Sequence, residues 1–511
     1  MHYFKKLNEN YYIYIILIFV LIPINFLPQL FDGILITYAF ESGNTKILFE
    51  NMYYDVARPF HSYYINLIFT FAKHTLIPLE LLLDNLIIFF FILFSIEIKK
   101  YSKIFFGLDN KWSNLAALFT VIFPVWHVLV DFDIGLYLVS IYFLFFGFRK
   151  FISKKKKEVF IGFIFIILSF NVEANLSFVI GLSFIYLIID RINNVNNFSF
   201  TKLFFLILTS FSYYIIRDLY FQTAGFVGSI GSESINRVSL DIINSNMTIT
   251  KLTDNVLNFS SFFLLHIWVP IIFFLHLLLK NNKFELVKII HFKYINNYFL
   301  LILLSGFAIF PYLILNKSTS ILDLGDYYQR NAFLLAPIFG FFFSIMFRDI
   351  AKINHIKNNV NLNFYLIIFI FINLLILNYG NYRKIESYLI RDNLTQEFKN
   401  IGNIPRGNVQ FIGKNIPHDF RIYELNYLLY KAYGTTGWWS TPFYKKEISK
   451  PSNELIKNKK ELTFKIAGEY QYVCDTYIYL KNDLTKYQRL KKFYVLNHKK
   501  YYNIKKILKK C

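Results

Sequence analysis

Apolar runs of about twenty residues recur along most of this 511-residue chain, and they constrain its fold more than any other feature. The hydrocarbon core of a bilayer is about 30 Å thick and takes about 20 helical residues to cross. Hydrophobic residues make up 55% of the chain, which is more apolar surface than a soluble protein of this length can bury. The runs are continuous rather than alternating, which favours helices over a β-barrel. The sequence therefore predicts an all-α polytopic membrane protein.

Hydropathy, combined with the positions of Lys and Arg, predicts about eleven membrane spans. They cover residues 11–30, 78–96, 113–130, 134–148, 159–170, 176–189, 202–221, 259–279, 298–315, 331–347 and 363–379. The positive-inside rule places the N-terminus and the basic loops between these spans in the cytoplasm. The short apolar stretch of residues 60–71 would break this alternation if it crossed. We therefore expect it to form an interfacial or re-entrant helix on the outer face.

Hydropathy falls sharply after residue 380, which divides the chain into a membrane domain, 1–380, and a C-terminal domain, 381–511. Short β-like runs at residues 409–412, 462–466 and 472–480, with a helix-like pattern from Tyr423 to Ala432, predict a small soluble α/β fold for the second part. Most of the formal net charge of +22 lies there. Long domains do not follow the positive-inside rule, so this charge is compatible with a position on the outer side, which the span count predicts.

Carboxylates gather in the segments that this topology places outside. The first outer loop, 31–77, carries four of them within 24 residues of its start, at Asp32, Glu41, Glu50 and Asp55. An ionised carboxylate is costly in hydrocarbon and usually faces water, a cation or a substrate. A carboxylate held at the membrane surface can act as a general base on a substrate that is itself anchored in lipid. The loop therefore indicates an enzyme that works on lipid-linked material.

Several charged residues lie directly before or after the predicted apolar segments. Asp32 directly follows the first span, and Arg58 with Pro59 opens the short apolar stretch. An acid follows the third span, at Asp131 or Asp133, and Glu173 lies between two later spans. This arrangement resembles the glycosyltransferases of the GT-C fold that use polyprenyl-phosphate-linked sugars. The aminoarabinose transferases and the protein O-mannosyltransferases are similar families.

The resemblance implies a GT-C-like membrane domain that moves a sugar from a polyprenyl-phosphate carrier to a glycolipid, polysaccharide or protein acceptor. It implies that the reaction takes place at the periplasmic face of a bacterial inner membrane. Asp32 is the expected general base, and Arg58 the expected phosphate ligand, because a guanidinium group forms bidentate bonds with phosphate oxygens. The remaining residues expected to bind substrate are Asp55, Asp131, Asp133, Glu173, Arg330 and His61.

Several of these residues also have a structural interpretation. Asp32, followed by Gly33, suits a helix end or a turn, and Arg58 suits an anchor at the membrane interface. A single histidine such as His61 is more often a structural residue than a ligand. Asp131 and its neighbour Asp133 suit either substrate orientation or the cap of the following span.

The sequence leaves open whether the protein uses a divalent cation. Asp55 and Glu173 carry the oxygen ligands that a divalent cation prefers, but the sequence has no paired-acid cluster that would commit it to a metal.

Two other functions remain open. A polysaccharide polymerase or ligase would use a diphosphate-linked oligosaccharide, and a large late outer loop would favour it. A lipid or solute transporter would favour internal repeats and ionisable residues near the bilayer midplane. The sizeable outer features here are the first loop and the C-terminal tail, and the carboxylates lie at one surface, so the glycosyltransferase interpretation is preferred. No part of the sequence indicates binding to nucleic acid.

Overall fold

The computed structural model describes most of the chain and is predominantly helical. The described residues are 32–43, 59–75, 77–172, 174–192, 198–220, 248–280, 292–324, 327–355, 361–402, 404–413, 422–435, 437–441, 474–481 and 503–510. The helices of the region before the sheet are α1 Asp32–Glu41, α2 Pro59–Thr75, α3 Leu79–Phe106, α4 Asn110–Val121, α5 Phe132–Phe151, α6 Lys156–Ser169, α7 Ala174–Ile192, α8 Phe200–Tyr220, α9 Ile249–Lys280, α10 Phe292–Ile314, α11 Leu335–His355 and α12 Leu362–Ile401.

Six of the described helices, namely α3, α5, α7, α9, α10 and α12, are long and apolar enough to cross a membrane. The chain is therefore a helical membrane protein, as its hydropathy predicts. The predicted span 11–30 lies outside the described residues. The predicted span 113–130 is not one helix, because α4 ends at Val121 and a 3₁₀ segment runs from Pro124 to Val130. Pro124 has no N–H to continue an α-helix, which accounts for a new element beginning there.

Helices α5 and α6 form the tightest helix pair, and glycines permit their close approach. A Cβ atom on Gly162 would overlap the backbone of Phe151 and the carbonyl of Gly147 on α5. Backbone atoms cannot move aside as a flexible side chain can, so the crossing requires a residue without a Cβ. Small residues have the same role where membrane helices pack without help from water.

The last helix of the bundle, α12, continues into the C-terminal region without a break. Its first half packs in the main core through Phe369 and Leu377, and its second half packs through Leu394 and Phe398 in a separate C-terminal core. The boundary predicted after residue 380 therefore falls inside a single 40-residue helix.

A four-stranded sheet completes the C-terminal region. Its strands are β1 Gly407–Gly413, β2 Trp438–Thr441, β3 Cys474–Lys481 and β4 Asn503–Lys510, with helix α13 Ile422–Tyr433 between the first two. The spatial order is β2-β1-β3-β4, with β1 parallel to both neighbours and β4 antiparallel to β3. Two β-like runs predicted from the sequence lie in β1 and β3, and the predicted helix coincides with α13. The run of residues 462–466 lies outside the described residues.

The two ends of the bundle differ in their charged contacts. At one end, which we call the Asp131 end, Asp131 at the start of α5 contacts the start of α1. At the other end of α5, Arg149 forms an ion pair with Glu97 of α3, and the Nε–Oε2 distance is 2.5 Å. Lys100 contacts the same carboxylate at 2.7 Å. The segregation agrees with the alternation of acidic and basic loops along the sequence.

The close approach of α5 and α6 generates a test by substitution. We expect Gly162→Ala to lower the free energy of unfolding by about 1–3 kcal/mol, because the added methyl group meets backbone on α5. Gly306→Ala in α10 is the matched control, since a Cβ atom there has nothing within 4 Å. The control should be neutral or stabilising by up to about 1 kcal/mol. Thermal unfolding of the detergent-solubilised variants measures both, and equal midpoints for the two variants would contradict the packing argument.

Candidate functional site

The first helix begins at the residue predicted as the general base. Helix α1 starts at Asp32, and the backbone N–H of Gly33 donates a hydrogen bond of 2.9 Å to Oδ1 of Asp131. The first N–H groups of a helix have no partner within the helix, and the positive end of its dipole favours an anion. Asp131 is 1% exposed and comes from a segment 98 residues further along the chain. The structure thus brings together the two segments that the sequence singled out for their acids.

Asp131 acts as a cap on a helix that the sequence did not indicate. The sequence suggested substrate orientation or a cap on the following span, and the structure adds a side-chain bond to the start of α1. The carbonyl of Asp131 still accepts the N–H of Gly135 in the first turn of α5, at 3.0 Å. One residue therefore links the starts of both helices.

Arg330 lies at the same end of the bundle. It belongs to the 3₁₀ segment Tyr327–Ala332, and its guanidinium carbon is 5.6 Å from the centre of the Tyr137 ring on α5. This distance is within the range of a cation–π contact. Since Tyr137 follows Asp133 by one helical turn, Arg330 is held over the part of α5 that also carries the predicted acids. The structure therefore groups Arg330 with Asp131 by shared elements.

His61 occupies a position between helices. It is 0% exposed on α2, and its Nε2 atom lies 3.2 Å from Oγ of Ser140 on α5. Its ring is also close to that of Tyr64 on the same helix. This contact holds α2 against α5.

Helix α12 adds polar residues to this end that the sequence analysis did not select. A Cβ atom on Gly380 would overlap the imidazole ring of His127, so α12 lies directly against the 3₁₀ segment before Asp131. One turn further along α12, Lys384 is 2% exposed and close enough to His127 to interact electrostatically. The signal that could have identified Lys384 is the uninterrupted helical pattern after the last apolar run.

A cavity of about 270 Å³ lies at the Asp131 end, between the bundle and the C-terminal helix α13. We call it the α12–α13 cavity. Its wall is formed by α1, by the first turn of α3, by the outer half of α12 and by α13. The residues whose side chains carry charges or aromatic rings are Glu80, Tyr388, Arg391, Asp392, Lys399, Tyr427 and Lys431. Ile34 and Thr37 of α1 complete the wall next to Gly33.

The C-terminal helix α13 fixes the far end of α1. Nζ of Lys431 lies 2.6 Å from Oε1 of Glu41, and the Tyr430 hydroxyl donates a 3.2 Å bond to the Glu41 carbonyl. The ring of Tyr38 packs between Tyr427 and Tyr430, at centroid distances of 5.5 and 5.0 Å. Burial raises the pKa of both Tyr38 and Tyr427, so these phenols keep their protons to a higher pH than an exposed tyrosine does. We call this set of contacts the α1–α13 clamp.

A buried ion pair supports the wall of the cavity. Nη2 of Arg391 on α12 donates to both carboxylate oxygens of Glu424 on α13, at 3.2 and 3.1 Å. The two side chains are 4% and 0% exposed. A single guanidinium nitrogen thus bridges the two carboxylate oxygens, while Nη1 of the same group donates to the Ser387 carbonyl at 3.1 Å. The ion pair joins the outer half of α12 to the C-terminal sheet region.

Some predicted residues cannot be placed in this site. Asp55, Arg58 and Glu173 lie outside the described residues, and so do the side chains of Asp32 and Asp133. Within the described part of the chain, no group of three or more His, Cys, Asp or Glu residues is arranged to hold a metal ion.

Comparison with known proteins identified no relative of this chain. A scan against models of protein families gave no match, and a search among curated proteins gave none either.

The bond between Asp131 and Gly33 predicts how α1 responds to substitution. We expect Asp131→Ala to destabilise the protein by about 1–3 kcal/mol, because it leaves a buried N–H group without its acceptor. Hydrogen exchange of the peptide that covers α1 should become faster. Asp131→Asn keeps an acceptor oxygen and should have a smaller effect.

Asp109→Ala is the matched control for this experiment. Asp109 also caps a helix, since it accepts the N–H of Trp112 at 3.0 Å, but that helix is α4. Its loss should lower stability by about 0.5–2 kcal/mol and leave exchange in α1 unchanged. If Asp131→Ala does not change exchange in α1 either, the cap does not hold that helix.

The ion pair in the cavity wall gives a second prediction. Arg391→Met leaves Glu424 buried without its partner and should cost about 3–5 kcal/mol in thermal unfolding. The double variant Arg391→Met with Glu424→Leu should recover most of that loss, because it removes both charges. Lys431→Met is the control, since its ion pair with Glu41 is 44% and 29% exposed and should contribute at most about 1 kcal/mol. Equal losses for the single and double variants would contradict this account.

Proposed function

We propose that the protein is a membrane glycosyltransferase that moves a sugar from a polyprenyl-phosphate carrier to an acceptor at the cell surface. The acceptor is a glycolipid, a polysaccharide or a protein, and the reaction takes place at the periplasmic face of a bacterial inner membrane. The observation that carries the proposal is the hydrogen bond between Asp131 and the start of α1. It brings two acid-bearing segments together at one end of an apolar bundle, beside a polar cavity.

In this proposal the reaction is a displacement at the anomeric carbon of the donor sugar. Asp32 takes the proton of an acceptor hydroxyl or amine, whose heavy atom forms the new bond to that carbon. The bond from the anomeric carbon to the phosphate oxygen breaks, and polyprenyl phosphate leaves with the electron pair. Proton transfer to a positioned base contributes typically about 10²–10⁴-fold to such a rate.

Basic residues would stabilise the departing phosphate. Arg58 and Arg330 are the proposed ligands, because guanidinium groups suit phosphate geometry. The cation–π contact of Arg330 with Tyr137 supports this role, since it holds the guanidinium at the Asp131 end. Asp55, Asp133 and Glu173 are the other proposed substrate contacts, with Asp55 and Glu173 as the candidates should a divalent cation take part. His61 is not among them, because it is fully buried against Ser140.

The proposed topology has about eleven crossings, with the N-terminus in the cytoplasm and residues 381–511 in the periplasm as a soluble domain. The α1–α13 clamp supports this arrangement, because it brings the C-terminal region to the side of the bundle that carries the first loop. The length of α12 supports it as well. At 1.5 Å per residue its 40 residues extend about 60 Å, about twice the hydrocarbon thickness.

A glycan comparison tests this proposal. Surface glycolipids, polysaccharides and glycoproteins of a deletion strain would be profiled by mass spectrometry after expression of the native protein or of Asp32→Asn. We expect the native protein to restore a missing sugar and Asp32→Asn, which keeps the shape but not the basicity, to restore at least about 100-fold less. Asp109→Asn, a carboxylate change at the cap of α4, is the matched control and should restore the sugar.

Membrane levels of the three proteins must be equal for this comparison. Full restoration by Asp32→Asn would remove Asp32 as the base. An unchanged glycan profile in the deletion strain would overturn the glycosyltransferase proposal itself.

A further inference from the structure

The proposed topology places the α12–α13 cavity beyond the reach of the lipid chains. Tyr388 on its wall is 26 residues after the start of α12 at Leu362, which corresponds to about 39 Å of helix. The hydrocarbon core is only about 30 Å thick, so the cavity belongs to the headgroup or aqueous region. Glu80 on the cavity wall lies in the first turn of α3, at the end of a membrane-length helix, which agrees with a position outside the hydrocarbon core. An occupant of the cavity is therefore a water-soluble group.

The wall offers hydrogen-bond donors, acceptors and aromatic rings together. Glu80 presents carboxylate oxygens, Gln396 presents an amide and Lys399 presents an ammonium group. Tyr388 and Tyr427 add aromatic rings to the same space. A sugar ring needs this combination, because its hydroxyls both donate and accept while its C–H face packs on an aromatic surface. A purely apolar ligand would leave these polar groups without partners.

The charges of the wall are balanced, which argues against an anionic ligand. Arg391 is paired with Glu424, and Lys431 is paired with Glu41. The acidic side chains of Glu80 and Asp392 line the same cavity, together with the ammonium group of Lys399. A phosphate group would therefore meet two carboxylates and one further cation. Glu80 is close enough to Lys431 and Glu41 to interact with both, so the balance extends across the cavity.

The size of the cavity limits its occupant. Its volume of about 270 Å³ is just below the range of about 300–1,000 Å³ that is usual for small-molecule sites. A single sugar unit is a ligand of this scale. The ion pair of Arg391 and the α1–α13 clamp fix the helices of the wall, so the space is largely formed before a ligand enters.

From this location, chemistry and size, we propose that the α12–α13 cavity binds one uncharged sugar unit. The identification of that unit as part of the acceptor rests on the proposed function. Ile34 and Thr37 of α1 line the cavity, so an acceptor sugar held there lies beside the first outer segment, to which the proposed function assigns the chemistry. The sugar-binding inference itself needs no transfer reaction.

Binding can be measured without a donor substrate. The full-length protein in lipid nanodiscs would be examined by saturation-transfer NMR with methyl glycosides of glucose, galactose, mannose and N-acetylglucosamine, and in parallel with inorganic phosphate by phosphorus NMR. We expect at least one glycoside to show saturation transfer and phosphate to show no binding. Binding of phosphate instead of the glycosides, or of none of these probes, would overturn the proposal.

Substitutions then assign the signal to the cavity. Gln396→Ala and Glu80→Gln should each weaken glycoside binding about fivefold, the effect of one lost hydrogen bond. Gln396 is exposed, so its substitution should leave the thermal midpoint unchanged. Asp254→Asn, at an exposed position on α9 outside the cavity, is the control and should keep full binding. Unchanged binding in both cavity variants would place the sugar elsewhere and overturn the assignment.

The sugar-binding test and the glycan test fail independently. Asp32→Asn should lose transfer and keep glycoside binding, because the base is proposed to act on the sugar and not to hold it. If the deletion strain has unchanged glycans while the cavity variants lose binding, the proposed function fails and the sugar site stands. If transfer depends on Asp32 but no glycoside binds, the glycosyltransferase proposal stands and the sugar site fails.

Discussion

Hydrocarbon offers no hydrogen-bond partner, and this constraint determines where the polar groups of the bundle lie. Inside the apolar helices, hydroxyl groups bond to carbonyls of their own helix, as Ser95 does to Ile92 and Ser183 to Val179. A histidine follows the same pattern, with Nδ1 of His266 lying 2.7 Å from the Phe262 carbonyl. These bonds stay within one helix, whereas others join two helices, such as the bond from Ser344 of α11 to the Trp112 carbonyl of α4. Contacts between elements through carboxylates and guanidinium groups are concentrated at helix ends, where the candidate site lies.

Helix α12 connects the apolar bundle to the candidate site. Its apolar half belongs to the bundle, and its polar half carries Lys384, Tyr388, Arg391 and Thr395 at spacings of three and four residues. Residues at these spacings share one face of a helix. The same rigid element therefore presents Lys384 to the buried cluster at the Asp131 end and the other three residues to the cavity above it. Because the helix has no break at the predicted domain boundary, the two parts of the site keep a fixed distance.

The sequence predicts the class of fold well because hydropathy acts over long windows. Helices α3 to α12 overlap predicted spans, and α2 overlaps the stretch of residues 60–71. Helix α1 was not predicted, because it lies in the segment 31–77 that the sequence analysis assigned to a loop. Helix ends are less predictable, as the break at Pro124 shows. Residue 380 marks a change of hydropathy and not of secondary structure, because a single helix runs from Leu362 to Ile401. The helical spacing of apolar residues continues past this point and favours a longer helix, but it is a weaker signal than the fall in apolar content.

The site was predictable only in part, for a related reason. Asp131 could be selected from the sequence because a carboxylate beside an apolar span needs a partner. Its partner, the N–H of Gly33, could not be predicted, because it lies 98 residues away and depends on how the helices pack. Arg391 and Glu424 are likewise ordinary charges in a polar tail until α12 and α13 bury them together. Pairings of this kind belong to tertiary structure.

The shortness of α1 explains why the C-terminal region belongs to the site. A helix of 10 residues is marginal on its own, because nucleation costs more than so few hydrogen bonds return. Asp131 accepts one N–H group of its first turn, and Tyr430 and Lys431 bind its last residue, Glu41. Since α13 supplies that second support, the order of α1 depends on the docking of the C-terminal region. The chemistry proposed for the first outer loop therefore requires the part of the chain furthest from it in sequence.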